Sequence, residues 1–335
     1  MCKFFRILTS ALFAVTAFSV CAAPSAPPDA GNTDKNANAG ASRASGYPFS
    51  DKKLEQLEKE CDAGEATSCE EAGVRYAQAR GVTRDASMAQ KFHEKACDGG
   101  VPASCTYLGF LRFYGKGGMK QDIREAERLY RKACDGGEFH ACSNLGKMYG
   151  RAEGVERDFS KAREFLEKSC NGGVSVGCAG LGDLYFRGLG VEQDQSKAAA
   201  LLEKACDPES RAMDIQNACT SIGMLYMQGI GVEKNDAKAV GILEKSCDRS
   251  NLKACTVLGA HLATVNEPAK GIGLMKKACD GSLAEACSVL GAFYVDGPGV
   301  ERNTDKAVEY LTKACALKHS PSCEAAAYLK ENPGK

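Results

Sequence analysis

From Asp51 onward, apolar side chains recur every three or four residues in runs of about a dozen. Short polar turns rich in Gly, Asp and Asn break the runs. That spacing puts the apolar residues on one face of a helix and predicts amphipathic helices joined by tight turns. Eight runs end alike, at Leu57–Cys61, His93–Cys97, Tyr130–Cys134, Leu166–Cys170, Leu202–Cys206, Leu243–Cys247, Met275–Cys279 and Leu311–Cys315. The intervals between these cysteines are 36, 37, 36, 36, 41, 32 and 36 residues, so the chain is a repeat array.

The clearest copy runs from Leu181-Gly182-Asp183-Leu184-Tyr185 through Gly188-Leu189-Gly190-Val191 and Asp194 to Lys197-Ala198 and on to Cys206. Leu and Tyr, three and seven residues after the preceding cysteine, share one face of a first helix, A. The Gly between them lets a neighbouring helix approach. Gly-x-Gly-Val ends helix A in a turn, and the Asp or Asn that follows is an N-cap for a second helix, B. This reading gives a lone B helix at about 52–62, seven A+B units from 69–97 through 287–315, and a lone A helix at 323–331. The two half-units would cover the ends of the array. Arg112 stands at the Tyr position of the second unit and Leu262 at that of the sixth, so these two are expected to stack least regularly.

Each run-ending cysteine is followed by another, which gives the pairs Cys61/Cys69, Cys97/Cys105, Cys134/Cys142, Cys170/Cys178, Cys206/Cys219, Cys247/Cys255, Cys279/Cys287 and Cys315/Cys323. The spacing is eight except at Cys206/Cys219, where about five residues between Pro208 and Asp214 are inserted. The 32-residue interval reflects a four-residue deletion between Gly259 and Cys279. Of 18 cysteines, only Cys2 and Cys21 lie outside the pairs. Both fall in residues 1–22, which read as a signal peptide: Lys3 and Arg6, an apolar stretch from Ile7 to Val20, and small residues through Ala22. Cleavage after Ala22 is the preferred reading. The rivals are acylation at Cys21, which Val20 fits poorly, and an uncleaved anchor, for which the stretch is short. Residues 23–50 are rich in Ala, Pro, Ser, Asn and Gly and read as a disordered linker, leaving 51–335 as the folded array. An exported chain meets an oxidising periplasm or medium, where sixteen paired cysteines read as eight structural disulfides.

Charge and composition narrow the function. Lys+Arg and Asp+Glu are both 43, a balance that argues against nucleic acid as the main partner. With four His and no C-x-x-C, the sequence gives no reason to expect a metal or cofactor. Ser50-Asp51-Lys52-Lys53 and Ser250-Asn251-Leu252-Lys253 match Ser-x-x-Lys by letter, but there is no Lys-Thr-Gly and no strand to carry one. No catalytic residue is assigned.

The Leu-Gly-x-x-Tyr, Gly-rich turn and Lys-Ala pattern resembles the Sel1-like repeat family, and the paired cysteines resemble the Helicobacter cysteine-rich group within it. The resemblance covers about 51–332. It implies a right-handed αα-hairpin solenoid of the tetratricopeptide type, all-α and monomeric, that serves as a protein- or peptide-binding scaffold. It also suggests penicillin binding with weak β-lactamase activity, hence a peptidoglycan-related or β-lactam ligand; a periplasmic assembly or envelope-stress factor is a further reading. In such solenoids the A helices line a concave groove. Residues five, eight and nine after the A-helix cysteine are then expected to face it: Phe110, Phe113 and Tyr114; Lys147, Gly150 and Arg151; Asp183, Phe186 and Arg187; Met224, Met227 and Gln228. These residues form an apolar strip with cations able to hold a carboxylate. The same positions also suit plain packing between adjacent A helices.

Overall fold

A computed structural model describes residues 52–265 and 267–332. The signal-peptide and linker readings, and Ser50 and Asp51, lie outside the described residues. The described chain is an all-helical repeat solenoid of sixteen helices. It divides into two compact units, 52–193 and 194–332. The N-terminal unit holds α1 (Leu54–Asp62), α2 (Ala66–Gln78), α3 (Ala86–Asp98), α4 (Pro102–Tyr114), α5 (Ile123–Asp135), α6 (Phe139–Arg151), α7 (Phe159–Asn171) and α8 (Ser175–Arg187). The C-terminal unit holds α9 (Gln195–Ala205), α10 (Met213–Gln228), α11 (Asp236–Asp248), α12 (Leu252–Thr264), α13 (Pro268–Asp280), α14 (Ala284–Asp296), α15 (Thr304–Ala316) and α16 (Ser320–Glu331). Even-numbered helices are type A and odd-numbered helices type B. Within each unit every helix packs on the next in chain order. Successive A helices also touch, α6 on α8 in the first unit, and α10 on α12 and α12 on α14 in the second.

The A helices start three residues earlier than the cysteine spacing alone suggests, six at α10, so the second cysteine lies one turn inside its helix and Cys219 nearly two. All eight expected bridges are formed: Cys61–Cys69, Cys97–Cys105, Cys134–Cys142, Cys170–Cys178, Cys206–Cys219, Cys247–Cys255, Cys279–Cys287 and Cys315–Cys323. The B-to-A turn makes this geometry. In seven of the eight turns, all but that of Cys206–Cys219, the third residue after the first cysteine adopts the left-handed conformation, as at Gly100 (φ 90°), Gly137 (φ 89°) and Gly173 (φ 83°). Its N–H donates to the cysteine carbonyl, 3.1 Å away at Gly100. The chain thus reverses within one turn, and the Cα atoms of Cys97 and Cys105 come within 4.8 Å. Ser250, Ser282 and Lys318 take the same conformation without glycine's freedom (φ 67–68°).

The A-to-B turn follows the expected chemistry. Asp85, Asp122, Asp158, Asp194, Asn235 and Asn303 each accept a backbone N–H from the first turn of the B helix they precede. The exception is α13, where Glu267 gives no such cap and Pro268 opens the helix. This is the pair with the shortened turn. Its helices close backbone to backbone instead: a Cβ on Gly259 would lie 2.7 Å from the Gly271 carbonyl. In the ordinary pairs the A-helix glycine receives a side chain, as at Gly146, where a Cβ would lie 2.5 Å from Leu166 Cγ.

The repeated Tyr does more than fill the core. The Tyr76 hydroxyl donates to Glu58 at 2.6 Å and its ring stacks on Phe92, centroids 5.7 Å apart. Tyr149 donates to Glu127 and stacks on Phe165, with Lys161 Nζ 5.0 Å from its ring centroid. Lys238 Nζ stands 4.4 Å from the Tyr226 ring centroid, and the Tyr226 hydroxyl donates to Glu203 at 2.8 Å. Tyr294 has Tyr310 stacked at 5.8 Å and Lys306 at 5.2 Å. The Tyr76, Tyr149 and Tyr226 clamps each tie an A helix to the B helices on either side, and the Tyr294 clamp ties α14 to α15. At the second pair both members change: Arg112 replaces Tyr, and Glu125 stands where the Lys would be. Hydrogen bonds from Arg128 hold the Glu125 carboxyl below its usual range, and the charge of Arg112 adds to this. A cation over a ring is thus replaced by a cation beside a carboxylate.

Position four before the B-helix cysteine is Tyr, Leu or Met in the other pairs but His93 in the first. His93 is buried, with Nδ1 3.0 Å from Ser104 Oγ and its ring 4.2 Å from that of Tyr107. Desolvation pushes its pKa down from 6.5 to about 3. The folded chain therefore keeps it neutral, whereas the unfolded chain protonates it below about pH 6.5. Its contribution is complete above that pH and declines as pH falls toward 3. Urea titrations of the wild type between pH 7 and pH 5 should show stability falling by up to about 1.4 kcal/mol per pH unit more than in His93→Leu. Equal slopes would refute this. At the second pair, Glu125→Lys should cost about 0.5–1 kcal/mol by adding a cation beside Arg112 and Arg128. Adding Arg112→Tyr should recover most of the loss, read as a favourable coupling in a double-mutant cycle.

Candidate partner-binding surface

The residues expected to line a groove are on A helices, and the structure distributes them between the two units. Phe110, Phe113 and Tyr114 are brought together at the end of α4. The Phe110 and Tyr114 centroids are 4.8 Å apart and those of Phe113 and Tyr114 are 4.9 Å apart. Phe110 and Phe113 are half-buried, and Tyr114 is 56% exposed. Lys116, in the glycine-rich turn that follows, places its ammonium 5.7 Å from the Phe110 centroid and 5.8 Å from that of Tyr114. Sequence reasoning missed Lys116. The available signal was a lysine flanked by Gly115 and Gly117, both left-handed, in a turn that lifts it back over the helix end. Gly115 closes α4 at φ 63°, and its N–H donates to the Leu111 carbonyl.

The cations of the strip are engaged locally. Arg151, exposed at the end of α6, lies 3.6 Å from Glu153, and Arg187 of α8 lies 3.6 Å from Asp183 one turn earlier. Asp183 is nearly buried, so this carboxylate belongs to the A-helix packing as much as to the surface. Lys147 and Phe186 are half-buried. Gly150 stands eight residues after Cys142 in α6, where a Cβ would meet nothing closer than Ala162 Cβ at 3.6 Å. Neither packing nor dihedral angle requires glycine there, and the face of α6 is low at that point.

In the C-terminal unit, Met224 and Met227 pack against the core that α11 to α15 build around Leu243, Leu258, Met275 and Phe293. They serve the stacking of α10 on its neighbours, while Gln228 at the helix end is exposed. The methionines thus pack on this core, whereas of the α4 aromatics Tyr114 is exposed and Phe110 and Phe113 are half-buried.

Ser250-Asn251-Leu252-Lys253 is structural. Asn251 is buried and accepts N–H donors from Lys253 and Ala254 as the cap of α12. Its amide donates to the Gln216 carbonyl at 3.0 Å and the Thr220 hydroxyl at 3.1 Å. Gln216 in turn holds the inserted loop through the carbonyls of Pro208 and Ser210. Among the described residues, no group of His, Cys, Asp and Glu is placed to hold a metal ion. No described helix is long and apolar enough to cross a membrane.

The Sel1 repeat model matches residues 66–101, 102–138, 139–174, 175–207, 216–251 and 284–319. The chain belongs to the Sel1 repeat family. Each matched Sel1 segment opens at or near the start of an A helix. The matches skip 208–215, the inserted loop, and 252–283, the α12–α13 pair with the short turn. Among solved structures, the chain is similar to a Sel1 repeat protein from Oxalobacter formigenes (23% identity, 96% of this chain and 86% of that one, TM-score 0.58). It is also similar to c5321, a protective antigen of uropathogenic Escherichia coli (26%, 84% and 68%, TM-score 0.52). Helicobacter pylori cysteine rich protein B aligns at 31% identity over 41% of this chain and 96% of its own, with a TM-score of 0.32. Among curated proteins no significant match is found.

If Tyr114 is surface and Met227 is packing, their truncations separate cleanly. Tyr114→Ala should change stability by less than about 0.5 kcal/mol, and Met227→Ala should cost about 1–3 kcal/mol, both by chemical denaturation. The reverse order would overturn the assignment.

Proposed function

We propose that this Sel1 repeat protein is an exported scaffold that binds a protein or peptide partner through the A-helix face of its N-terminal unit. The observation that carries the reading is the aromatic triad on α4: three rings gathered beside a lysine, with the outermost, Tyr114, 56% exposed. Exposed aromatic clusters beside cations are the composition of binding hot spots rather than of ordinary surface. Phe186, Lys147, Arg151 and Arg187 extend the face along α6 and α8, and Gly150 leaves room between them for a side chain of the partner. Asp183 orients Arg187. Gln228, with Met224 and Met227 behind it, is the corresponding site on the C-terminal unit.

Export is supported by the eight disulfides, because bridges in this number persist in an oxidising compartment. It is supported too by the basic-then-apolar pattern of residues 1–22. The folded part supplies rigid helices, and the partner supplies the chemistry it recognises.

Affinity capture from native envelope extract, followed by mass spectrometry, tests the reading. Wild-type protein should retain a partner that Phe110→Ala/Tyr114→Ala loses by at least ten-fold, with both proteins equally folded by circular dichroism. Equal retention by the variant would remove the triad from the binding face. Arg187→Ala should weaken capture less, because Arg187 is already paired with Asp183.

A further inference from the structure

The order of the eight bridges has a consequence for how the protein is made. In every case a cysteine is joined to the next cysteine in the chain, with no bridge nested in or crossing another. Bridged cysteines are eight residues apart in seven pairs and thirteen in the pair Cys206–Cys219. Adjacent pairs are separated by 24 to 29 residues, so no wrong partner within the sixteen is nearer than that. Loop closure favours the shorter separation by roughly the three-halves power of the length ratio, about six-fold for an eight-residue pair and about three-fold for Cys206–Cys219. The B-to-A turn, with its left-handed residue and its hydrogen bond to the first cysteine carbonyl, raises the native encounter further in all the pairs but the fifth. In a chain emerging from its N-terminus the discrimination is stronger still. Among the sixteen paired cysteines, when the second of a pair appears with the earlier pairs closed, the only thiol before it still unpaired is its native partner.

We propose that dithiol oxidation alone supplies the folded protein, with no disulfide-isomerisation step between oxidised chain and native state. The reaction at each pair is ordinary exchange with an oxidant disulfide, either that of a thiol oxidase or a small-molecule disulfide. One cysteine thiolate attacks the oxidant, forming a mixed disulfide and releasing one oxidant thiolate. The second cysteine thiolate attacks the protein sulfur of that mixed disulfide and releases the other. The protein pair loses two electrons and two protons, and the oxidant is reduced to its dithiol form if it is an oxidase, or to two thiols if it is a small-molecule disulfide. Cys206–Cys219 is the step most open to error, because the inserted loop removes both the short separation and the tight turn.

The test uses the full chain with Cys2→Ser and Cys21→Ser, so that sixteen thiols remain. The protein is denatured and reduced, then refolded with oxidised glutathione alone or with added disulfide isomerase, and its linkages are mapped by non-reducing digestion and mass spectrometry. The yield of fully native linkages should rise by less than about two-fold with isomerase. A larger rise overturns the proposal. Wrong linkages should centre on Cys206 and Cys219 and fall in a variant lacking Glu209 to Met213, which restores the eight-residue spacing. Errors spread evenly over the pairs, or unchanged by the deletion, would refute the ranking of the fifth pair.

Discussion

Everything in this chain hangs on the reversal from a B helix to the next A helix. Two helix ends must meet there within a few residues, and the turn would leave backbone polar groups open. The left-handed residue three positions after the cysteine sends its N–H back to the cysteine carbonyl and turns the chain on itself. The disulfide then fixes the two helices at the same point. In the chain-entropy picture a bridge over so short a loop contributes about 2.5 kcal/mol at most, and the sum over eight is less than additive. Its larger effect is geometric. Once the reversal is fixed, the A-helix glycine and the B-helix Leu or Tyr are set opposite each other, and the rest of the packing follows in register.

This local control explains what was legible in the sequence. Cysteine spacing, Asp and Asn caps and the Leu-Gly-x-x-Tyr period are short-range signals, and short-range signals determine a repeat. The A helices begin a turn earlier than their cysteines because residues such as Pro102 and Ala66 start the helix before the bridge. No periodicity marks that boundary. The surface was less legible. Phe113 and Met227 occupy the same repeat position, yet one joins an aromatic patch and the other packs on a core. The difference lies in what each side chain meets, the ring of Tyr114 for the first and the apolar core of the C-terminal unit for the second. Lys116 was invisible because its role depends on how a glycine-rich turn folds back.

The two irregular pairs show how the fold absorbs departures from its pattern. Where Tyr becomes Arg112, the facing Lys becomes Glu125, so attraction across the helix pair is kept while its nature changes. Where the sixth pair loses residues and its Asp cap, Gly259 and Gly271 let the backbones meet and Pro268 starts the helix instead. The fifth reversal keeps its bridge despite the inserted loop, whose Pro208 and Ser210 carbonyls the Gln216 amide holds, while Asn251 anchors Gln216. In each case one physical interaction is replaced by another of similar reach.

The tyrosine clamp bears on which piece of the array is a module. Tyr226 takes its acceptor from α9 and its cation from α11, so the clamp spans three helices rather than the two that one repeat contributes. Cutting or inserting a single helix pair would therefore graft one pair's tyrosine onto another pair's glutamate and lysine. Such a splice is silent wherever the neighbouring pairs carry the same three residues. At Arg112 and Glu125 the parts do not interchange. A crossover there would leave an arginine facing a lysine, and the length of the array is thereby easier to vary on one side of that pair than through it.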